Sequence, residues 1–127
     1  MARDCDPRII DRVLTAATLV HQALGPGLLE SIYQQAMLLE LREAGIPTRA
    51  EVEVAVRYRG NDLGCGLRVD LLVAEQLILE VKSIARIDAV HFKQLRSYLR
   101  CTDIRIGFIL NFNQSVLKSG IRRVQLN

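Results

Sequence analysis

Long apolar runs are missing from this chain. No stretch approaches the ~18 uninterrupted apolar residues of a membrane span, so no segment is expected to cross a bilayer. Aromatic residues make up only 5% of the sequence, which argues against a surface that stacks the bases of single strands. Cysteine is sparse as well. Cys5, Cys65 and Cys101 are odd in number, far apart and without a CxxC pair, which argues against a disulfide framework or a zinc site and points to reduced thiols in a cytoplasmic protein. The start, Met1 to Pro7, is charged and leads into an amphipathic segment, so it does not read as a signal peptide. There is no internal repeat, low-complexity segment or linker.

What is present is 127 residues, half of them apolar, enough for one domain over 1–127 with a real core. The net charge of +3 is uneven. From Lys82 onward nine Lys or Arg stand against two Asp, a net of +7, whereas the first 81 residues carry eight basic against twelve acidic groups, a net of −4. A basic carboxyl-terminal half is compatible with a polyanionic partner and equally with ordinary solvated faces.

Asp6-Pro7 reads as an N-cap followed by proline in the first helical position. Ile10, Val13, Ala17, Val20 and Leu24 then keep helical spacing until Gly25. A second helix is expected from about Pro26-Gly27 to Ala44, before Gly45 and Pro47. On it Glu30 heads a column continued by Tyr33, Met37 and Leu41. Two readings of Glu30 stand side by side: a core-side carboxylate that holds a divalent cation, or a first-turn carboxylate that faces solvent near the positive end of the helix.

Residues 51–59 alternate polar and apolar, as a strand with one solvated face does. A turn at Gly60-Asn61-Asp62 and a flexible or bulged entry at Gly64-Cys65-Gly66 precede a strand from Leu67 to Val73. Ala74-Glu75-Gln76 then forms a tight hairpin loop that sets Val73 opposite Leu77. In that register Asp70 lies opposite Glu80, and Lys82 projects to the same face, otherwise made of Leu72 and Ile78. A loop one residue longer or shorter would separate the two acids. Asp88 is placed to cap a third helix over about 89–101 whose apolar face is Phe92, Leu95 and Leu99. His91, Gln94 and Tyr98 form a second stripe roughly 100° away, and Lys93, Arg96 and Arg100 a third. Arg105 to Phe112 reads as a buried strand reached by a crossover, and a short strand is expected around Ile121 to Leu126. The fold class is therefore α/β, in the order α-α-β-β-β-α-β.

Asp70, Glu80 and Lys82 have a chemical logic at this spacing. Paired carboxylates suit a hard divalent ion such as Mg²⁺ or Mn²⁺, which activates water and polarises a phosphoryl oxygen, while the lysine orients that water or offsets transition-state charge. Many hairpins carry two acids and a lysine for solubility alone, and a structural Lys82–Glu80 salt bridge is a further alternative.

Asp70, Glu80-Val81-Lys82 and Gln94-Leu95-Arg96-Ser97-Tyr98 resemble the PD-(D/E)xK nuclease superfamily, including the Q-x3-Y element of its exonuclease branch. Gly27-Leu28-Leu29-Glu30-Ser31-Ile32-Tyr33 is similar to the signature of the GxxExxY proteins within it, as are His21, Gly25-Pro26-Gly27 and Asn111-Phe112-Asn113. Val69 stands where the superfamily's name has proline. The resemblance spans about residues 13–125. It implies a restriction-endonuclease-like α-β-β-β-α-β core with an extra N-terminal helix and a mixed sheet. It also implies Asp70, Glu80 and Glu30 as metal ligands, Lys82 as the catalytic lysine, and Gln94 and Tyr98 as contacts to metal-site water or phosphate. His91 joins them as a candidate phosphate contact, because it shares their stripe. The expected function is a metal-dependent nuclease acting on DNA, alone, as a homodimer or beside a partner protein. The alternative is a catalytically silent nucleic-acid-binding or protein-interaction module on the same fold.

Overall fold

The computed structural model describes residues 4–127. The charged start at Met1-Ala2-Arg3 lies outside them, as does the side chain of Cys65; Cys5 and Cys101 are free thiols. Helix α1 (Pro7–Leu24) is followed by α2 (Glu30–Glu43), then by strands β1 (Thr48–Tyr58), β2 (Asn61–Val73) and β3 (Leu77–Lys82). Helix α3 (Ala89–Thr102), β4 (Ile106–Asn111), a 3₁₀ turn (Leu117–Gly120) and β5 (Ile121–Gln125) complete the order. The five strands form one sheet in the order β1-β2-β3-β4-β5. All neighbours are antiparallel except β3 and β4, which run parallel with α3 as the connection. This is the mixed α/β architecture expected from the sequence. No helix among the described residues is long and apolar enough to cross a membrane.

Helix α1 forms where its cap and apolar spacing place it. Asp6 accepts from the Arg8 backbone N–H at 2.9 Å, Pro7 opens α1, and Ile10, Val13, Ala16, Ala17 and Val20 are its buried stripe. That stripe and Tyr33, Met37 and Leu41 of α2 pack on one face of the sheet against Leu71, Val73, Leu77, Leu79 and Leu110. Helix α3 covers the other face with Leu95, Tyr98 and Leu99, against Leu72, Ile78 and Ile109. The approach of α3 is close. A Cβ added at Gly107 would lie 2.8 Å from Leu95 Cδ1, so glycine there leaves room for the helix that carries Tyr98.

Helix α2, strand β2 and the buried face of α3 depart from the sequence expectation, and β1 begins at Thr48 rather than at residue 51. Helix α2 begins at Glu30 rather than near Pro26, because Gly27 adopts φ 103°, outside the helical region, and Tyr33 holds the preceding loop. The Tyr33 hydroxyl donates to Gly25 O and accepts from Leu28 N, while its ring stacks on Phe112 with centroids 4.6 Å apart. Strand β2 begins at Asn61, not Leu67. The Gly64–Gly66 segment stays paired with β1 through register shifts around Ala55, and the turn falls on Arg59-Gly60, both at positive φ. Tyr98 belongs to the buried face of α3 with Leu95 and Leu99 rather than to a separate stripe.

Candidate active site

The hairpin register is the predicted one: Val73 pairs with Leu77, Leu72 with Ile78 and Leu71 with Leu79. The regular ladder ends there, one rung short of Asp70 and Glu80. Beyond it the side chains take over the bonding. Asp70 Oδ2 accepts from the Val81 backbone N–H at 2.8 Å, and Glu80 Oε1 accepts from the Asp70 N–H at 3.4 Å. The two carboxylates therefore hold β2 and β3 together where the backbone bonds stop.

Glu80 comes from a central strand whose residues are buried from Leu77 to Val81, and it is only 4% exposed. Burial, followed by the charge of Asp70, pushes its carboxyl from 4.5 up to about 8. Burial also raises Asp70, against the Val81 amide and the Lys82 ammonium, with the charges of Glu51 and Glu30 adding to the rise. Lys82 acts on both acids through its charge, without a hydrogen bond to either. The structural Lys82–Glu80 salt bridge, the further alternative, is thus not what holds the pair. Tyr98 closes the α3 side: burial, with the negative charge of Glu80 and Asp70, raises its phenol to about 12, so it keeps its proton.

Glu30 reaches the same end of the sheet from the opposite layer. It is the first residue of α2, it is exposed, and its Oε2 accepts from the Ser83 backbone N–H at 3.1 Å. Ser83 Oγ in turn donates to Leu28 O at 2.6 Å. Asn111, paired with Lys82 across β3 and β4, is buried and fixes the next residue along. Its Oδ1 accepts from the Ile84 and Asn113 N–H groups at 3.1 and 3.2 Å, and its Nδ2 donates to Ile84 O at 3.0 Å. The chain leaving Lys82 is therefore held on both sides.

The structure thus gathers Asp70, Glu80, Lys82 and Tyr98, with Glu30 joined through Ser83. Gln94 is exposed one turn before Tyr98 on α3. His91 Nδ1 accepts from the Asp88 N–H at 2.9 Å, so that nitrogen serves the start of α3, and the ring borders a surface hollow with Ile84, Ala85, Arg86 and Asp88. His21 Nε2 donates across the molecule to Gln114 O at 2.7 Å. Ser83 and Glu51 were not among the residues singled out from the sequence. Ser83 sits next to the Glu-x-Lys run, but only the fold brings Glu30 to it.

Among the described residues no group of three or more His, Cys, Asp or Glu is gathered tightly enough to hold a metal ion by itself. The donor set present is a pair of carboxylates, Glu80 buried and Asp70 half-buried, whose mutual charge is unfavourable. That suits Mg²⁺ or Mn²⁺, which take one or two protein carboxylates and keep waters and phosphate oxygens for the remaining positions.

The model of the family described as the PD-(D/E)XK nuclease superfamily matches residues 7–124. No curated protein and no solved structure matches the chain.

Proposed function

The chain belongs to the PD-(D/E)XK nuclease superfamily, and from that membership we propose that it is a Mg²⁺- or Mn²⁺-dependent nuclease that hydrolyses DNA phosphodiesters without a covalent intermediate. The observation that carries this reading is the Asp70–Glu80 pair, Glu80 buried and Asp70 half-buried, with Lys82 beside it, an arrangement that is costly without a cation and competent with one. When bound, the ion would polarise a phosphoryl oxygen and lower the pKa of a coordinated water.

The residues divide the work. Asp70 and Glu80 supply the oxygens that hold the ion. Lys82 orients the attacking water and offsets charge as its oxygen bonds to phosphorus and the ester oxygen departs with a proton. Tyr98, neutral at any working pH, donates to water or phosphate within the site. Gln94 and His91 flank it as phosphate contacts, and Glu30 is the third acid, acting on the end of β3 through Ser83. The resemblance to the GxxExxY group and the cytoplasmic setting belong to the same reading, as does assembly as a homodimer or with a partner that supplies substrate specificity.

Labelled single-stranded, duplex and branched DNA incubated with Mg²⁺ and then Mn²⁺ tests this, with Glu80→Ala purified in parallel. Cleavage by the wild type alone is expected. Equal cleavage by the variant would exclude the assigned site. A non-catalytic nucleic-acid or protein-binding module is the second reading, favoured by Glu30 being spent on Ser83 rather than joined to the acid pair. Absence of both cleavage and Mn²⁺ binding by the wild type selects it.

A further inference from the structure

Residues two apart on a strand ordinarily share a face. The β1–β2 hairpin breaks this rule at one rung. On β1, Ala50 packs with the α1/α2-side core and Val52 with the α3-side core. On β2, Leu71 and Val73 belong to the first core, whereas Val69 and Leu67 belong to the second. The register pairs Ala50 with Leu71 and Val52 with Val69, so both strands change sides across the interval that contains Glu51 and Asp70.

Glu51 sits inside β1 with φ 55°, a left-handed conformation that a non-glycine residue in a strand rarely adopts. Its side chain is exposed, accepts from Gln34 Nε2 of α2 at 3.0 Å and lies 3.7 Å from Arg68. The half-turn has its counterpart on the other strand. Asp70, at the change of sides, directs its carboxylate towards β3 and the Val81 amide.

We propose that Glu51 is a positioning residue whose left-handed backbone reverses the hairpin's facing at Asp70 and so directs the Asp70 carboxylate into the gap between β2 and β3. The claim rests on the nuclease reading only for its consequence, metal binding, and not for the geometry itself. Without the reversal, regular alternation would carry Asp70 onto a sheet face, as it does Leu72, and away from the Val81 amide. The long outer part of the hairpin would also turn its Val52, Val54, Leu67 and Val69 face away from α3. One backbone torsion thereby sets both the aim of the acid and the side on which the arm lies.

Substitution by preferred φ separates this role from that of the side chain. Glu51→Gly suits the left-handed backbone and removes the carboxylate; Glu51→Val opposes that backbone most strongly; Glu51→Ala lies between them. The readouts are hydrogen exchange of the Val81 amide by NMR and Mn²⁺ affinity by calorimetry, with circular dichroism to establish folding. Expected are wild-type Val81 exchange in Glu51→Gly and, relative to Glu51→Gly, which equally lacks the carboxylate whose charge acts on Asp70, faster Val81 exchange with about tenfold weaker Mn²⁺ binding in Glu51→Val, the scale for loss of a residue that orients a ligand. If Glu51→Val does not fold, the Gly and Ala variants carry the test, with Val81 exchange faster in Ala than in Gly. Equal Val81 exchange in every folded variant overturns the proposal, as does a loss in Glu51→Gly as large as in Glu51→Ala. A wild type that protects Val81 but neither binds Mn²⁺ nor cuts DNA would defeat the nuclease reading and leave this test intact.

Discussion

Glu80 is the residue whose chemistry is most sensitive to its surroundings. Its carboxyl titrates near 8 in the folded chain and near 4.5 when unfolded, so the folded state holds the extra proton between those values. A raised carboxyl contributes stability that is fully present below about 4.5 and is lost as pH rises through about 8. The metal-free protein is therefore expected to lose stability steadily over that window and to level off above it. Urea titrations at a series of pH values measure this, and Glu80→Gln should flatten the slope; a wild-type curve that rises from pH 5 to 8 would contradict the buried proton. The same proton must leave when a cation binds, because the ligand is the carboxylate. Mn²⁺ affinity should then rise about tenfold per pH unit below 8 and level off above it, as one released proton requires. Calorimetry in two buffers of different ionisation enthalpy would count that proton directly.

At the scale of elements, the end of β3 is placed by its neighbours more than by its own sequence. Asn111 supplies three hydrogen bonds from one buried amide, two of them to Ile84. Asn111→Ala leaves the Ile84 N–H and C=O without these partners and should cost about 2–6 kcal/mol, at about 1–3 kcal/mol for each unsatisfied group. Because Lys82 and Ser83 lie just before Ile84, that variant should also weaken cleavage by more than its lost stability accounts for, read as a fall in kcat on the folded fraction. The 3₁₀ turn is held against the same residue. A Cβ at Gly120 would lie 2.1 Å from Asn111 O, a backbone atom that cannot swing aside, so Gly120→Ala should cost about 3 kcal/mol or more. A thermal midpoint unchanged by Gly120→Ala would show that the turn is free to move away from β4.

For the molecule as a whole, the parts legible in the sequence were those with local causes. The Asp6-Pro7 cap, the Ala74–Gln76 loop and the apolar runs of β3 and β4 gave α1, the hairpin register and the central strands, and with them the approach of Asp70 to Glu80 just beyond the ladder. Helix α2 was placed four residues early because Tyr33 acts back on Gly25 and Leu28 through a tertiary contact. Strand β2 was cut short because glycines 64 and 66 read as breaks, whereas pairing to β1 carries the chain through them. The reversal at Glu51 has no residue signature, since glutamate does not announce a left-handed backbone. Ser83 meets Glu30 only across 53 positions of chain. The consequence for stability is that one ion should act on several elements together: Asp70 and Glu80 bridge β2 and β3, while Lys82 and Ser83 lead from β3 towards β4 and α2. An ion that binds only the folded chain at a hundred times its Kd adds about 2.7 kcal/mol, or roughly 10 °C in Tm for a chain of this length. Wild-type Tm should climb with Mn²⁺ by this amount at pH 8, whereas Glu80→Gln and Asp70→Asn, each lacking one of the paired charges, should stay nearly flat. An equal rise in all three proteins would place the ion elsewhere and remove the carboxylate pair from the metal-binding role.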